Sequence, residues 1–277
     1  MSFTQRTRPT CFDECNEMLH RLIRSQRRVL GDRLLAMVLQ GSFAVGGFDR
    51  HSDVDFAAVV DKELPPEQVE QLQQMHRRFH RIPNRWAKVL DGSYWPADIL
   101  RSCYRRGEDL WYLDNGHDKM VRSDHCNTAV VRWTVANSGI VLFGPDREQL
   151  VDPVDTETLR HEIYLTLVNW GREVLADPEP FANRFYQGFI VLNYCRMLRD
   201  LRRGRVGSKP DGAAWAKRNL GPGWTDLIDR AWSTRPNPSV SVRTSADTED
   251  MRRTLEMVEM AIEMAGEWYP QWIQPIR

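Results

Sequence analysis

Asp53 and Asp55 stand one residue apart at the head of the apolar run Phe56-Ala-Ala-Val-Val60, inside "LQGSFAVGGFDRHSDVDFAAVV", residues 39 to 60. In a strand, residues i and i+2 point to one face, so the two carboxylates project together. Placed beside a buried strand without a partner, each charge costs on the order of several kcal/mol. Paired carboxylates are hard oxygen ligands of the type Mg²⁺ prefers. They can hold two such ions about 3.5–4 Å apart for phosphoryl or nucleotidyl transfer. Two Mg²⁺ ions would also neutralise the charge that the apolar run penalises. Just upstream, Gly41 lets a phosphate approach the backbone, and Ser42 offers an N–H and a hydroxyl to phosphate oxygens.

The elements that must place these groups follow from periodicity. Phe12, Cys15, Met18, Leu19, Leu22, Ile23 and Leu30 recur at helical spacing, and Gly31-Asp32 ends that helix. Leu34 to Gln40 reads as a strand, Gly41 to Ser52 as a glycine-bearing turn, and Asp53 to Val60 as a second strand. Pro65-Pro66 opens a helix that ends near Ile82-Pro83. Trp86 to Tyr94 reads as a third strand, closed by Trp95-Pro96. The order gives a small mixed α/β unit. Residues 97–126 read as irregular and polar, and Ala129 to Val141 fits helix or strand. Beyond Gly144-Pro145 the pattern is helical, near 157–176, 181–203, 209–219, 223–234 and 246–268, with a Pro/Ser/Thr linker at 234–245. Met251, Leu255, Val258 and Ile262 share one face of the last helix, a packing stripe. The expectation is an α/β domain over 1–145, a mixed sheet flanked by helices, and an all-α helical bundle over 146–277.

Gly41-Ser42, ten residues, then Asp53-Val54-Asp55 resembles the GS-x10-DxD signature of the DNA polymerase β-like nucleotidyltransferase superfamily. Ser52, immediately before the pair, fits as well. The resemblance implies a third carboxylate on a neighbouring strand, and Asp91 in "WAKVLDGSYWP" takes that place. Farther on, "NYCRMLRDLRRGRVGSKPDGAAWA", residues 193 to 216, resembles the helical-domain signature of streptomycin/spectinomycin adenylyltransferases. There an R-x12-K spacing precedes an Ala-Ala-x-Trp-Ala type segment. The match is Arg196 and Lys209, followed by Ala213-Ala214-Trp215-Ala216. In the family this pair reaches ATP phosphates. Locally, Ser208-Lys209-Pro210-Asp211 reads as a capping box, which puts Lys209 in the first turn of a helix, where anions are favoured. Trp170 is similar to a substrate-stacking tryptophan of the family. Two departures stand out: Asp91 replaces the glutamate of the antibiotic-modifying relatives, and Tyr186 stands where they place an acid. Asp177, Glu179 and His51 receive no role from the resemblance.

The resemblance implies an ATP- and Mg²⁺-dependent nucleotidyltransferase that moves AMP to a hydroxyl of a small acceptor, an antibiotic-resistance-like chemistry. Asp53 and Asp55 would hold two ions, and Asp91 would share a metal and take the acceptor's proton. Ser42, Arg196 and Lys209 would hold the triphosphate. The alternatives are transfer to a protein side chain and a non-catalytic ATP-binding protein.

Bulk properties exclude other classes. A net charge of zero and a pI near 7.1 give no global pull toward nucleic acid or anionic membrane. No apolar run reaches the length of a membrane span, and the N-terminus lacks a secretory apolar region, so the cytoplasm is expected. Five cysteines without a CxxC pair argue against a disulfide framework or a zinc site. Arg199, Arg202, Arg203 and Arg205 read as a solvated face, and His76 and His80 as solvated helix histidines.

Overall fold

The computed structural model describes residues 8–115, 117–234 and 242–273. The chain forms two compact units, Met1–Val154 and Asp155–Arg277. The division falls beyond residue 145 because Leu150 and Val151 are buried in the first unit's core. The expected linker at 234–245 lies largely outside the described residues. Among the described residues no helix is long and apolar enough to cross a membrane.

The first unit is built on a mixed sheet of order β5-β4-β3-β2-β1-β6. Its strands are β1 (Leu34–Leu39), β2 (Val54–Val60), β3 (Leu90–Pro96), β4 (Leu110–Leu113), β5 (Met120–Ser123) and β6 (Ile140–Phe143). Among the described residues only β2 and β3 run parallel, and α3 (Pro66–His80) connects them. Both faces of these central strands are covered, which explains their near-continuous apolar runs. One face sends Phe56, Ala58, Val60 and Tyr94 into a core with α1 (Asp13–Leu30) and α3. The other sends Ala57, Val59 and Trp95 into a core that includes Ile99 and Leu100 of α4 (Ala97–Arg101) and Val135 of α5 (Ala129–Asn137). Gly92 lies opposite Phe56, and a Cβ there would sit 2.4 Å from that ring. The glycine lets the two strands close at the level of the carboxylates.

Three readings of this unit are corrected. Residues 97–126, read as irregular, contain α4 and the β4–β5 hairpin. The glycine-bearing turn contains a short helix, α2 (Gly41–Val45). His76 is buried: its Nε2 lies 2.7 Å from the Tyr94 hydroxyl, which also accepts from Gln26 Nε2 at 3.1 Å. Burial pushes the His76 pKa down to about 3, so it is a neutral core group.

The second unit is helical: α6 (Thr156–Ala176), α7 (Arg184–Arg203), α8 (Lys209–Asn219), α9 (Thr225–Thr234) and α10 (Thr248–Trp268). Helix α7 is the central element and packs on all four others. Asn183 caps its start by accepting from the Tyr186 N–H at 3.0 Å, and left-handed Gly204 ends it. Gly171 admits the Tyr194 hydroxyl to the α6–α7 contact: a Cβ there would lie 2.7 Å from it, and the hydroxyl donates to Leu167 O at 2.9 Å. Arg199 is not on a solvated face. It is buried, and its Nη1 donates to the buried Asp200 Oδ1 at 2.6 Å. Arg202, Arg203 and Arg205 are exposed.

Candidate active site

The two carboxylates of the opening motif sit where alternation places them. Asp53 precedes β2 and Asp55 is its second residue, on the face that continues as Ala57 and Val59. Parallel register sets Asp55 beside Asp91 of β3, whose face continues as Ser93 and Trp95. The register therefore sets the third acid beside Asp55. Burial, and then the nearby negative charge of Asp53, push the Asp91 pKa up to about 7, against the opposing hydrogen bond from Tyr112.

Gly41 packs directly on Asp55. Its φ is +57°, and an ideal Cβ would lie 2.0 Å from Asp55 Oδ2 and 2.4 Å from Cγ. Only glycine meets both demands, a left-handed backbone and a carboxylate against the Cα. The Gln40 N–H donates to Asp55 O at 3.0 Å and fixes this approach. Ser42, in the first turn of α2, has a buried hydroxyl with no partner among the described residues. Ser52 is engaged otherwise than expected. Its hydroxyl accepts from the Asp49 N–H at 3.0 Å, and its N–H donates to Asp49 O at 3.1 Å. It closes the turn ahead of Asp53. His51 is exposed, with its N–H donating to Asp49 Oδ1 at 2.8 Å.

Sequence reasoning missed the hairpin residues. Tyr112 of β4 lies opposite Ser93, so it reaches diagonally to Asp91 on the same face. Its hydroxyl is 3.1 Å from Asp91 Oδ2 and 3.1 Å from Asp114 Oδ1. Asn115 Nδ2 donates to Asp53 Oδ2 at 3.3 Å. The signal was present as Leu110-Trp-Tyr-Leu113 followed by Asn115-Gly116, a strong hairpin dipeptide.

The donor set suits a hard cation. It consists of carboxylate oxygens, and Asp91, whose proton affinity is raised by burial and then by the charge of Asp53, is a group that a divalent ion would stabilise in its ionised form. The expected three-carboxylate cage is not preformed: among the described residues no three His, Cys, Asp or Glu side chains converge to hold a metal. Asp91 is engaged by Tyr112 instead. Mg²⁺ commonly uses one or two carboxylates and completes its shell with phosphate and water oxygens, so the donors present fit that ion.

In the second unit, Arg196 and Lys209 lie at the crossing of α7 and α8. A Cβ on Gly212 would sit 2.6 Å from Arg196 Cα, so the glycine lets α8 rest on α7 at that residue. Arg196 Nη2 donates to Asn193 Oδ1 at 2.8 Å. The capping box Ser208/Asp211 starts α8 as expected, and the Lys209 ammonium lies 4.9 Å from the Phe189 ring centre. Trp170 stacks on Tyr194 at 5.4 Å and meets Phe189 edge-on at 6.0 Å. Phe185 extends the row to Tyr186, at 5.2 Å. Asp177 ends α6, Glu179 follows in a short 3₁₀ turn, and both are exposed.

Residues 149–260 match the family profile described as "Aminoglycoside adenylyltransferase, C-terminal domain". No curated protein matches the sequence significantly. Among solved structures, the fold is similar to the spectinomycin adenyltransferase AAD(9) of Enterococcus faecialis, solved with ATP and spectinomycin. The TM-score is 0.66 at 14% identity, over 89% of this chain and 98% of that one. Residues 149–260 are thus similar to the C-terminal domain of the aminoglycoside adenylyltransferases, and the chain as a whole shares its fold with a spectinomycin adenyltransferase.

Proposed function

We propose that this protein transfers AMP from ATP to a hydroxyl of a small acceptor, with release of pyrophosphate. The observation that carries the reading is the parallel register of Asp55 and Asp91, with Asp53 at the strand entrance and Gly41 against the Asp55 carboxylate. Asp53 and Asp55 would hold the divalent ions. When bound, those ions supply Lewis-acid stabilisation of the charge on the phosphates.

The chain's own groups divide the remaining work. Asp91 accepts the proton of the acceptor hydroxyl as its oxygen bonds to the α-phosphorus and the bond to pyrophosphate breaks. An elevated proton affinity near neutrality suits a general base. The unpartnered Ser42 hydroxyl and the α2 backbone donate to phosphate oxygens. Arg196 and Lys209 supply charge-assisted contacts to the triphosphate. The half-buried Trp170 offers a ring face to the acceptor. The ATP and spectinomycin of the structural neighbour support this substrate pair, and so does the family of the C-terminal domain. With Tyr186 in place of the relatives' acid, the acceptor is less cationic than a typical aminoglycoside.

The test is incubation of the full chain with ATP, Mg²⁺ and a panel of aminocyclitols, aminoglycosides and other polyols, read by mass spectrometry. An acceptor gaining one AMP, with stoichiometric pyrophosphate, supports the reading. Saturable ATP binding without pyrophosphate from any acceptor would favour a non-catalytic binder.

A further inference from the structure

We infer that the β4–β5 hairpin is a positioning element for the carboxylates and that Tyr112 is its principal residue, fixing the direction in which Asp91 presents its oxygens. The inference rests on the proposed function for its consequence, but its geometry lies in residues to which neither the motifs nor the family resemblance gives a role. A phenol hydroxyl carries one hydrogen, and the Tyr112 oxygen lies 3.1 Å from an oxygen of Asp91 and 3.1 Å from one of Asp114. It can donate to only one of them at a time. Asp114 is more than half exposed and open to solvent, whereas Asp91 is largely enclosed. The enclosed carboxylate gains more from the donor, so the hydrogen belongs on Asp91 Oδ2.

That bond fixes Oδ2, the Asn115 backbone N–H is a second hairpin donor to the same carboxylate, and together they set the direction in which Asp91 faces an acceptor hydroxyl. The Tyr112 ring is itself fixed, since it is buried in the core that holds Trp95 and Leu110 and has Ser93 opposite it in the ladder. The hydroxyl is therefore a rigid reference point and not a mobile contact. The same hairpin reaches Asp53 through Asn115 Nδ2 at 3.3 Å. Two of the three carboxylates thus take their orientation from one segment, and Asp55 takes its own from Gly41.

Tyr112→Phe removes the hydroxyl and keeps the ring in its core. In the full-length protein, with the acceptor saturating, kcat should fall about 10-fold while the KM for ATP stays within twofold, because the lost contact orients the base and not the nucleotide. Tyr104→Phe, which deletes the hydroxyl of a tyrosine that is 99% exposed, is the control and should match wild type. A role in packing alone would leave kcat of Tyr112→Phe unchanged, and that result overturns the inference. Failure of the proposed function would appear separately, as absence of turnover in the wild type. A crystal structure of Tyr112→Phe serves the inference without any turnover. The Asp91 carboxylate should be rotated from its wild-type direction, and an unmoved Asp91 overturns the inference.

Discussion

Replacing Gly41 by alanine disturbs two things whose sizes can be read separately. The first is backbone conformation: a φ of +57° costs a residue with a Cβ about 1–2 kcal/mol. The second is a collision, because the new Cβ would lie 2.0 Å from Asp55 Oδ2, where such contacts stay outside about 3.0 Å. The carboxylate must retreat by at least about 1 Å, and a misplacement of that size in a reacting constellation costs roughly 10²-fold in rate. Gly107→Ala isolates the first effect, since Gly107 has φ +80° and nothing within 4 Å of its would-be Cβ. Urea denaturation of both variants should show comparable losses of stability. Turnover under saturating ATP and Mg²⁺ should fall roughly 10²-fold for Gly41→Ala alone. If Gly41→Ala keeps turnover within twofold of Gly107→Ala, Asp55 is not part of the reacting constellation.

The other predictions can be tested on the same material. Asp53→Asn should abolish turnover with little change in folding, because it removes one ligand charge and almost no packing; the thermal shift given by ATP plus Mg²⁺ should shrink with it, and unaltered turnover would refute the metal role. The raised pKa of Asp91 has a definite sign. The folded state holds the proton more tightly than the unfolded state, so stability falls as pH rises from about 4 through about 7 and levels off above. In thermal melts without divalent ions this slope should amount to on the order of 1–3 kcal/mol and should vanish in Asp91→Asn. Gly212→Ala should force α8 away from the Arg196 backbone at a cost of about 1–3 kcal/mol and weaken ATP binding; unchanged affinity on titration calorimetry would separate this crossing from nucleotide binding.

The residues that sequence reasoning placed well are those whose chemistry and strand geometry agree. Asp53, Asp55 and Asp91 were legible because strand alternation gives the face and a helical connection between strands implies a neighbour, while the register was supplied by Phe56 against Gly92. The helices of the second unit follow their apolar spacing and caps closely, as at Asn183, Ser208 and Gly204. What escaped depends on contacts distant in the chain. Tyr112 lies on the short strand β4 and Asn115 in the turn after it, in a stretch whose polarity masked the hairpin, and their partners are 21 and 62 residues away. His76 was misread for the same reason, its partner Tyr94 being 18 residues away, whereas Arg199 was misread because its ion pair with the adjacent Asp200 is enclosed by the close-packed Gly207. Ser52 matched a motif position, yet its hydroxyl closes the turn on Asp49, which only the folded loop discloses.

The central claim, that Asp91 takes the acceptor's proton beside the carboxylates that hold the divalent ions, is tested most directly by Asp91→Asn. Asparagine keeps the shape of the site and can still accept from Tyr112 through its carbonyl oxygen, but it cannot take a proton at neutral pH. With the acceptor found in the panel above, the measurement is single-turnover AMP transfer alongside calorimetric binding of ATP with Mg²⁺. The account predicts transfer slowed by roughly 10²–10⁴-fold, the usual worth of a general base, with ATP affinity and thermal stability largely retained. Transfer at near-wild-type rate in Asp91→Asn would contradict it.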